Sequence, residues 1–229
     1  MDRVKAVAFD LDDTLVRTSV DFKKMKQEII HLLGTLGLNE EMFSTSELTY
    51  TIIERGSNSL AAQGVSEPRL REIRAEITEI MNRVELESVS RVEAVPGALK
   101  VLLKLRDCGI RIGVVTRGCR AYTLAALERA GLSGAIDLIL ARDDVERPKP
   151  HPAHLIELAA RLGVGRDEIL LVGDHRTDYE CAQAAQIPFV GIISRGSNLA
   201  DLVKADRKAA VLDSIDELPD FLLGLPFST

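Results

Sequence analysis

Short β-branched and apolar runs recur at residues 4–9, 110–115, 136–140, 168–172 and 189–193. Runs with so little polar alternation have no face to offer water, which predicts strands buried on both sides. Between them, apolar residues return at helical spacing: Leu99, Leu102 and Leu103 after Pro96-Gly97, then residues 122–130, 154–162 and 179–185. Strand alternating with helix requires right-handed crossovers and a parallel sheet covered on both faces. The expected fold is α/β, a Rossmann-like, doubly wound parallel sheet.

The interval 17–93 breaks this rhythm. It holds no convincing strand and at least two long amphipathic helices, one carrying Phe22, Met25, Ile29, Leu32 and Leu36, the other Leu70, Ile73, Ile77, Ile80, Met81 and Val84. Gly56-Ser57-Asn58-Ser59 and residues 64–68 read as loops within it. The sheet needs strands from both sides of this interval, so the expected organisation is a core domain of residues 1–16 and 94–229 with an inserted helical cap domain of residues 17–93.

A chain of 229 residues can bury a full core. Its net charge of -6 argues against a general nucleic-acid binder, because duplex recognition rests on basic surface. No apolar run approaches the roughly 18 residues of a membrane span, and the first residues lack the uncharged stretch of a secretory signal. The three cysteines, Cys108, Cys119 and Cys181, show no C-x-x-C spacing, so neither a disulfide framework nor a structural zinc site is suggested and a reducing cytoplasm fits.

The stretch VAFDLDDTLV sets Asp10, Asp12 and Asp13 directly after the first apolar run. In a parallel sheet, ligands sit beyond the carboxyl ends of the strands. Alternate residues of an extended segment point the same way, which puts Asp10 and Asp12 on one side. Like charges so close ask for a cation. Taken alone, the cluster could equally be a solvated turn and helix cap. The other strand ends weigh against that: Thr116 and Arg117 follow the second run, GDHRTD at residues 173–178 sets Asp174 and Asp178 after the fourth, and RPKP presents Lys149 between two prolines. Hard oxygen ligands without a Cys or His cluster suit magnesium. A lysine and a threonine hydroxyl beside them suit a phosphoryl group.

These segments resemble the four ordered motifs of the haloacid dehalogenase superfamily: DLDDT at residues 10–14, a Thr after the second strand, a Lys in a Pro-flanked loop, and GDHRTD. The stretch VPGALKVLLKLRDCGIRIGVVTRG is similar to the phosphoglycolate phosphatase-like branch, which carries a helical cap. The resemblance implies that Asp10 is the nucleophile of an aspartyl-phosphate pathway. It implies that Asp12 is the general acid, then the base that activates water. Thr116 and Lys149 would hold the phosphoryl oxygens. The metal, Mg2+, would be bound by Asp10, the Asp12 carbonyl and Asp174, with Asp178 as ligand or neighbour. Asp12 also favours phosphate esters over halides, since a departing alkoxide needs a proton and a halide does not.

Relatives usually carry Asn after the threonine; here Arg117 and Gly118 stand there. Arg117 is a candidate for binding a second anionic group on the substrate, because guanidinium matches carboxylate or phosphate oxygens in bidentate fashion. Asp13 is expected to be a turn residue. His151 and His154 have a zinc-like spacing but no further ligands, so helix capping is expected of them. His175 and Arg55 are weaker candidates for lining the pocket, and GVGRDE follows a helix, which speaks against a nucleotide-binding turn. The expected activity is magnesium-dependent hydrolysis of a small phosphorylated metabolite, by a monomer or homodimer. A sugar phosphomutase and a small-molecule pyrophosphatase are the enzymatic alternatives. A phosphoryl-accepting receiver domain or a metabolite-binding protein are the non-enzymatic ones. Receivers are shorter and lack the helical insert, and a dead site would be expected to have lost Asp10, Asp12 or Lys149.

Overall fold

The computed structural model describes residues 4–193, 199–204 and 206–224. In chain order, β1 (Ala6–Phe9) runs into the two-residue strand β2 (Val16–Arg17). Three helices follow: α1 (Phe22–Thr35), α2 (Thr49–Ala62) and α3 (Glu67–Ser88). The chain returns through β3 (Glu93–Ala94), antiparallel to β2, and then alternates: α4 (Ala98–Asp107), β4 (Arg111–Val115), α5 (Arg120–Arg129), β5 (Leu138–Leu140), α6 (Pro152–Arg161), β6 (Ile169–Gly173), α7 (Arg176–Ala185) and β7 (Phe189–Ile192). The short α8 (Leu199–Val203), β8 (Ala209–Leu212) and α9 (Leu218–Gly224) complete it.

Six of these strands form one parallel sheet in the order β5-β4-β1-β6-β7-β8. β1 lies between β4 and β6, with Ala8 registered against Gly113 on one side and Leu171 on the other. All four β1 residues are fully buried, which is why this run shows no polar alternation. Ala6 and Ala8 belong to a core cluster with Leu155, Leu158, Cys181 and Ala182, contributed by α6 and α7. Their small side chains let α6 lie close against the middle of the sheet.

The expected strands are present, with the third shortened from residues 136–140 to Leu138–Leu140. β8 has no counterpart in the sequence reading. Its four residues are mostly only half-buried, at the edge of the sheet, so its hydrophobic signal is weak. On α4 the apolar residues sort differently from the expectation. Ala98, Val101, Leu102 and Leu105 are buried, while Leu99 and Leu103 face outward.

Residues 19–90 form one compact unit, and the chain up to Thr18 and from Arg91 forms the other. Within residues 19–90, α1, α2 and α3 pack on one another, burying Met25, Ile29 and Leu33 of α1, Ile52 and Leu60 of α2, and Leu70, Ile73 and Ile77 of α3. Of the expected α1 stripe Met25 and Ile29 are buried, but Leu33 rather than Leu32 is fully buried, and Phe22 is exposed. The expected loop Gly56-Ser57-Asn58-Ser59 is a correction: these residues lie inside α2. Gly56 is there because a Cβ would sit 2.6 Å from Leu33 Cδ1, so its bare backbone is what lets α2 close on α1. Its helix-breaking character is outweighed by that contact. The turn expected at residues 64–68 begins as foreseen, with Gly64 at a left-handed φ of 87°, but α3 already starts at Glu67. Among the described residues no helix is long and apolar enough to cross a membrane.

Gly113 sits under α6, where a Cβ would lie 2.8 Å from Leu158 Cδ2. Gly113→Val is therefore expected to destabilise the protein by about 1–3 kcal/mol through overpacking. The shift of the urea midpoint at unchanged m-value measures it, and an unchanged midpoint would refute the packing argument.

Candidate active site

The C-terminal ends of three neighbouring strands carry the predicted residues. Asp10 follows β1, Thr116 follows β4, and Asp174 follows β6. The backbone holds these ends together: Asp10 N–H donates to Val172 O at 2.8 Å and Thr116 N–H to Leu140 O at 3.1 Å. Lys149 arrives from the loop between β5 and α6, and Asp178 from the first turn of α7.

Lys149 is the centre of this arrangement. Its Nζ lies 2.6 Å from Asp10 Oδ1 and 2.6 Å from Asp178 Oδ1, and it is almost fully buried. Burial opposes the charge on the ammonium. The carboxylates of Asp10 and Asp178 overcome that penalty and hold Lys149 above the usual lysine range. Asp10 is raised from the ordinary carboxylate value by burial and then by the charge of Asp178, with Lys149 opposing both.

One carboxylate oxygen from each of Asp10, Asp174 and Asp178 lies within 4.8 Å of the other two. Three carboxylates against one ammonium leave two negative charges unmatched among these four groups. An all-oxygen donor set with that surplus fits a hard divalent cation. Asp174 also accepts from Thr14 Oγ1 at 3.4 Å. The Asp12 carboxylate is not among the three: it accepts a 2.6 Å hydrogen bond from the Tyr122 hydroxyl.

The loop after β1 explains how Asp10 and Asp12 are presented. Asp13 takes a left-handed φ of 58°, and the turn closes through Asp13 N–H to Val16 O at 2.7 Å and Leu15 N–H to Leu11 O at 2.9 Å. Asp13 Oδ1 accepts from Thr18 N–H, the turn role expected of it. Its carboxyl is raised by partial burial.

Two glycines make room for the functional side chains. A Cβ on Gly173 would sit 2.6 Å from the Asp178 carboxyl carbon, so Asp178 occupies space that only glycine leaves. Asp178 Oδ2 then accepts from His175 N–H at 3.1 Å and caps α7, as an acid does at a helix N-terminus. Gly118 N–H donates to Thr116 Oγ1 at 3.0 Å, which leaves the threonine O–H to donate elsewhere.

His151 caps α6, as expected, whereas His154 lies inside α6 and caps no helix end. His151 Nδ1 accepts from Ala153 N–H at the start of α6. His154, fully buried, accepts from Lys149 N–H at Nδ1 (3.1 Å), so its Nε2 donates to Leu140 O at 3.1 Å. A neutral imidazole thus clips the lysine loop to the end of β5. Beside it Cys181 Sγ donates to His151 O at 3.4 Å, and burial pushes its thiol up to about 12, which makes it a packing group. His175 accepts from Thr177 N–H and caps α7. Burial, then the charge of Arg117, holds its pKa down, which places Arg117 within electrostatic reach of the same rim. Arg117 itself is half-buried. Arg55 lies in α2, 2.8 Å from Glu47 and 5.1 Å over the Phe43 ring, a set of contacts internal to the helical unit.

Tyr122 is the residue that sequence reasoning passed over. Its position marks it only as part of the helical run 122–130, yet it is fully buried with its hydroxyl on Asp12. A tyrosine six residues past a site threonine carries no local signal of that contact.

Burial, then Lys149, lowers the His154 pKa from an ordinary 6.5 to about 4. Between these values the unfolded chain binds a proton that the folded chain does not, so stability falls as pH drops through that window and is unaffected above it. The shift corresponds to about 3 kcal/mol. Urea titrations at pH 7 and pH 4 are expected to show wild type losing about that much more than His154→Gln. Equal losses would overturn the neutral-clip assignment.

Residues 7–192 match the haloacid dehalogenase-like hydrolase family. A phosphoglycolate phosphatase from Salmonella typhi is 27% identical over 246 residues, covering 100% of this chain and 96% of that protein. Another from Yersinia pestis is 29% identical, covering 97% of this chain and 94% of that protein. The solved structure of a Bacteroides fragilis protein provisionally assigned as a haloacid dehalogenase-like hydrolase superposes with a TM-score of 0.67 at 23% identity, over 94% of this chain and 100% of that one. With its sheet, strand ends and full-length match taken together, the chain belongs to the haloacid dehalogenase-like hydrolase family.

Proposed function

We propose that the protein is a magnesium-dependent phosphatase that hydrolyses a small-metabolite phosphate monoester through an aspartyl-phosphate on Asp10. The observation that carries this reading is the buried Asp10–Lys149–Asp178 cluster, with Asp174 completing a three-carboxylate group beside it. Hydrolysis by this family and the full-length similarity to phosphoglycolate phosphatases support a phosphoric monoester hydrolase.

Asp10, as the carboxylate hydrogen-bonded by Lys149, attacks phosphorus, and the bond to the leaving oxygen breaks. Lys149 and the Thr116 hydroxyl oppose the charge on the transferring oxygens. Asp12 gives its proton to the leaving alkoxide, then takes one from the water that attacks the aspartyl-phosphate. Asp10, the Asp12 carbonyl and Asp174 would hold Mg2+, with Asp178 at its edge; when bound, the ion offsets the charge of the phosphoryl group and of Asp10. Residues 17–93 would act as a cap that selects substrate and excludes water. Arg117 would meet a second anionic group, which fits a substrate of the phosphoglycolate kind.

Phosphate release from phosphoglycolate and 4-nitrophenyl phosphate is expected with magnesium, lost with a chelator and restored by the metal. Asp10→Asn should be inactive, a loss of at least about a thousandfold, because the nucleophile is gone. Turnover in Asp10→Asn would refute the mechanism, and no release from any phosphate ester would refute the enzymatic reading. Arg117→Ala is expected to raise KM about tenfold for phosphoglycolate and leave 4-nitrophenyl phosphate unchanged, since it removes a charge-assisted contact made only by a second anion. Equal effects on both substrates would remove its selector role.

A further inference from the structure

The Tyr122 hydroxyl has a chemical consequence beyond packing. A buried phenol needs a partner, and here the partner is Asp12 Oδ1 at 2.6 Å, the short distance of an O–H bonded to a carboxylate. With the single phenolic hydrogen committed to Asp12, the Thr18 hydroxyl, 3.3 Å from the same oxygen, is the donor to Tyr122. The result is a directed chain from Thr18 to Tyr122 to Asp12.

The ring cannot relax away from this geometry. Tyr122 is fully buried in the first turn of α5, where its N–H donates to Cys119 Sγ at 3.4 Å. Its edge rests on Gly118, where a Cβ would stand 2.8 Å from Tyr122 Cδ1. The same glycine orients Thr116 through its N–H. Gly118 therefore serves two neighbours in the site at once.

Asp12 sits on a loop, and its carboxylate turns about two side-chain bonds unless something holds it. We propose that Tyr122 is a positioning residue that fixes the Asp12 carboxyl group and determines which of its oxygens carries the transferable proton. An O–H aimed at Oδ1 leaves no room for a second hydrogen along that direction, so the acidic proton resides on Oδ2. In the reaction the P–O bond to the alcohol breaks, the alkoxide takes the Oδ2 proton, and Asp12 is left as the carboxylate that Tyr122 still contacts. No other reactant is required. This inference rests on the proposed role of Asp12 as acid and base.

The test compares two esters by kcat/KM, which covers steps up to departure of the leaving group. An alkyl phosphate needs a proton at that point; 4-nitrophenyl phosphate leaves as a stable phenolate and does not. In Tyr122→Phe, kcat/KM is expected to fall about tenfold for the alkyl ester, mainly in kcat, and by less than about twofold for the aryl ester. Asp12→Asn should show the same selectivity more strongly, and adding Tyr122→Phe to it should cost nothing further. Equal losses on both esters, no loss on either, or a further additive loss in the Asp12→Asn background would overturn the assignment. Should Tyr122→Phe fail to fold by thermal unfolding, Thr18→Val carries the test: a loss of about twofold or more confined to the alkyl ester supports the chain, and an equal or absent loss overturns it. A wild type inactive on both esters refutes the phosphatase reading instead, so the two failures are distinguishable.

Discussion

A buried ammonium held between two carboxylates organises this molecule. Lys149 lies 2.6 Å from both Asp10 and Asp178, on residues from three separate stretches of chain. Charges taken out of water are tolerated only when paired and hydrogen-bonded, and removing one partner of such a set leaves a burden of about 3–5 kcal/mol. The cluster is therefore weak evidence for stability and strong evidence for a task. A core seeking stability alone would fill this space with apolar groups. The arrangement sets the Asp10 carboxyl against an ammonium and largely away from bulk water.

The sheet makes that convergence possible. β1 is central, and the chain leaves it toward β4 and β5 on one side before returning to β6, β7 and β8 on the other. Where connections diverge in this way, the strand ends open a crevice, and Asp10 stands at that point. Its neighbours in the sheet supply Thr116 and Asp174 without any loop having to reach far. Only Lys149 comes from a longer excursion, and the neutral His154 clip on its backbone N–H, tied in turn to Leu140 O, gives that loop a fixed anchor.

Much of this was legible because it is local. β1, β4 and β6 are buried on both faces, so their composition alone announced them, and each is followed directly by a polar residue at the same edge of the sheet. What was not legible depends on contacts across the fold. Gly56 reads as a helix breaker until Leu33 is seen pressed against it, and Leu32 and Leu33 cannot be sorted from periodicity alone. β8 is short and only partly buried, so its pattern resembles a loop. Tyr122 has the spacing of a core residue, and nothing in its surroundings along the chain marks the hydroxyl as bound to Asp12, 110 positions away.

Asp178 shows why such a site resists piecemeal change. One oxygen holds Lys149 and the other caps α7 through His175 N–H, while the side chain fills the space that Gly173 leaves open. The residue thus joins the lysine, a helix terminus and the end of β6 in a single side chain. An amide in its place could keep the shape but would replace one acceptor with a donor, setting an N–H against either the ammonium or the helix N–H. A glutamate would keep the charge but not fit over Gly173. The negative charge near the metal-fitting carboxylates and the start of α7 are therefore one feature, which makes the geometry of the site a direct consequence of how this helix begins.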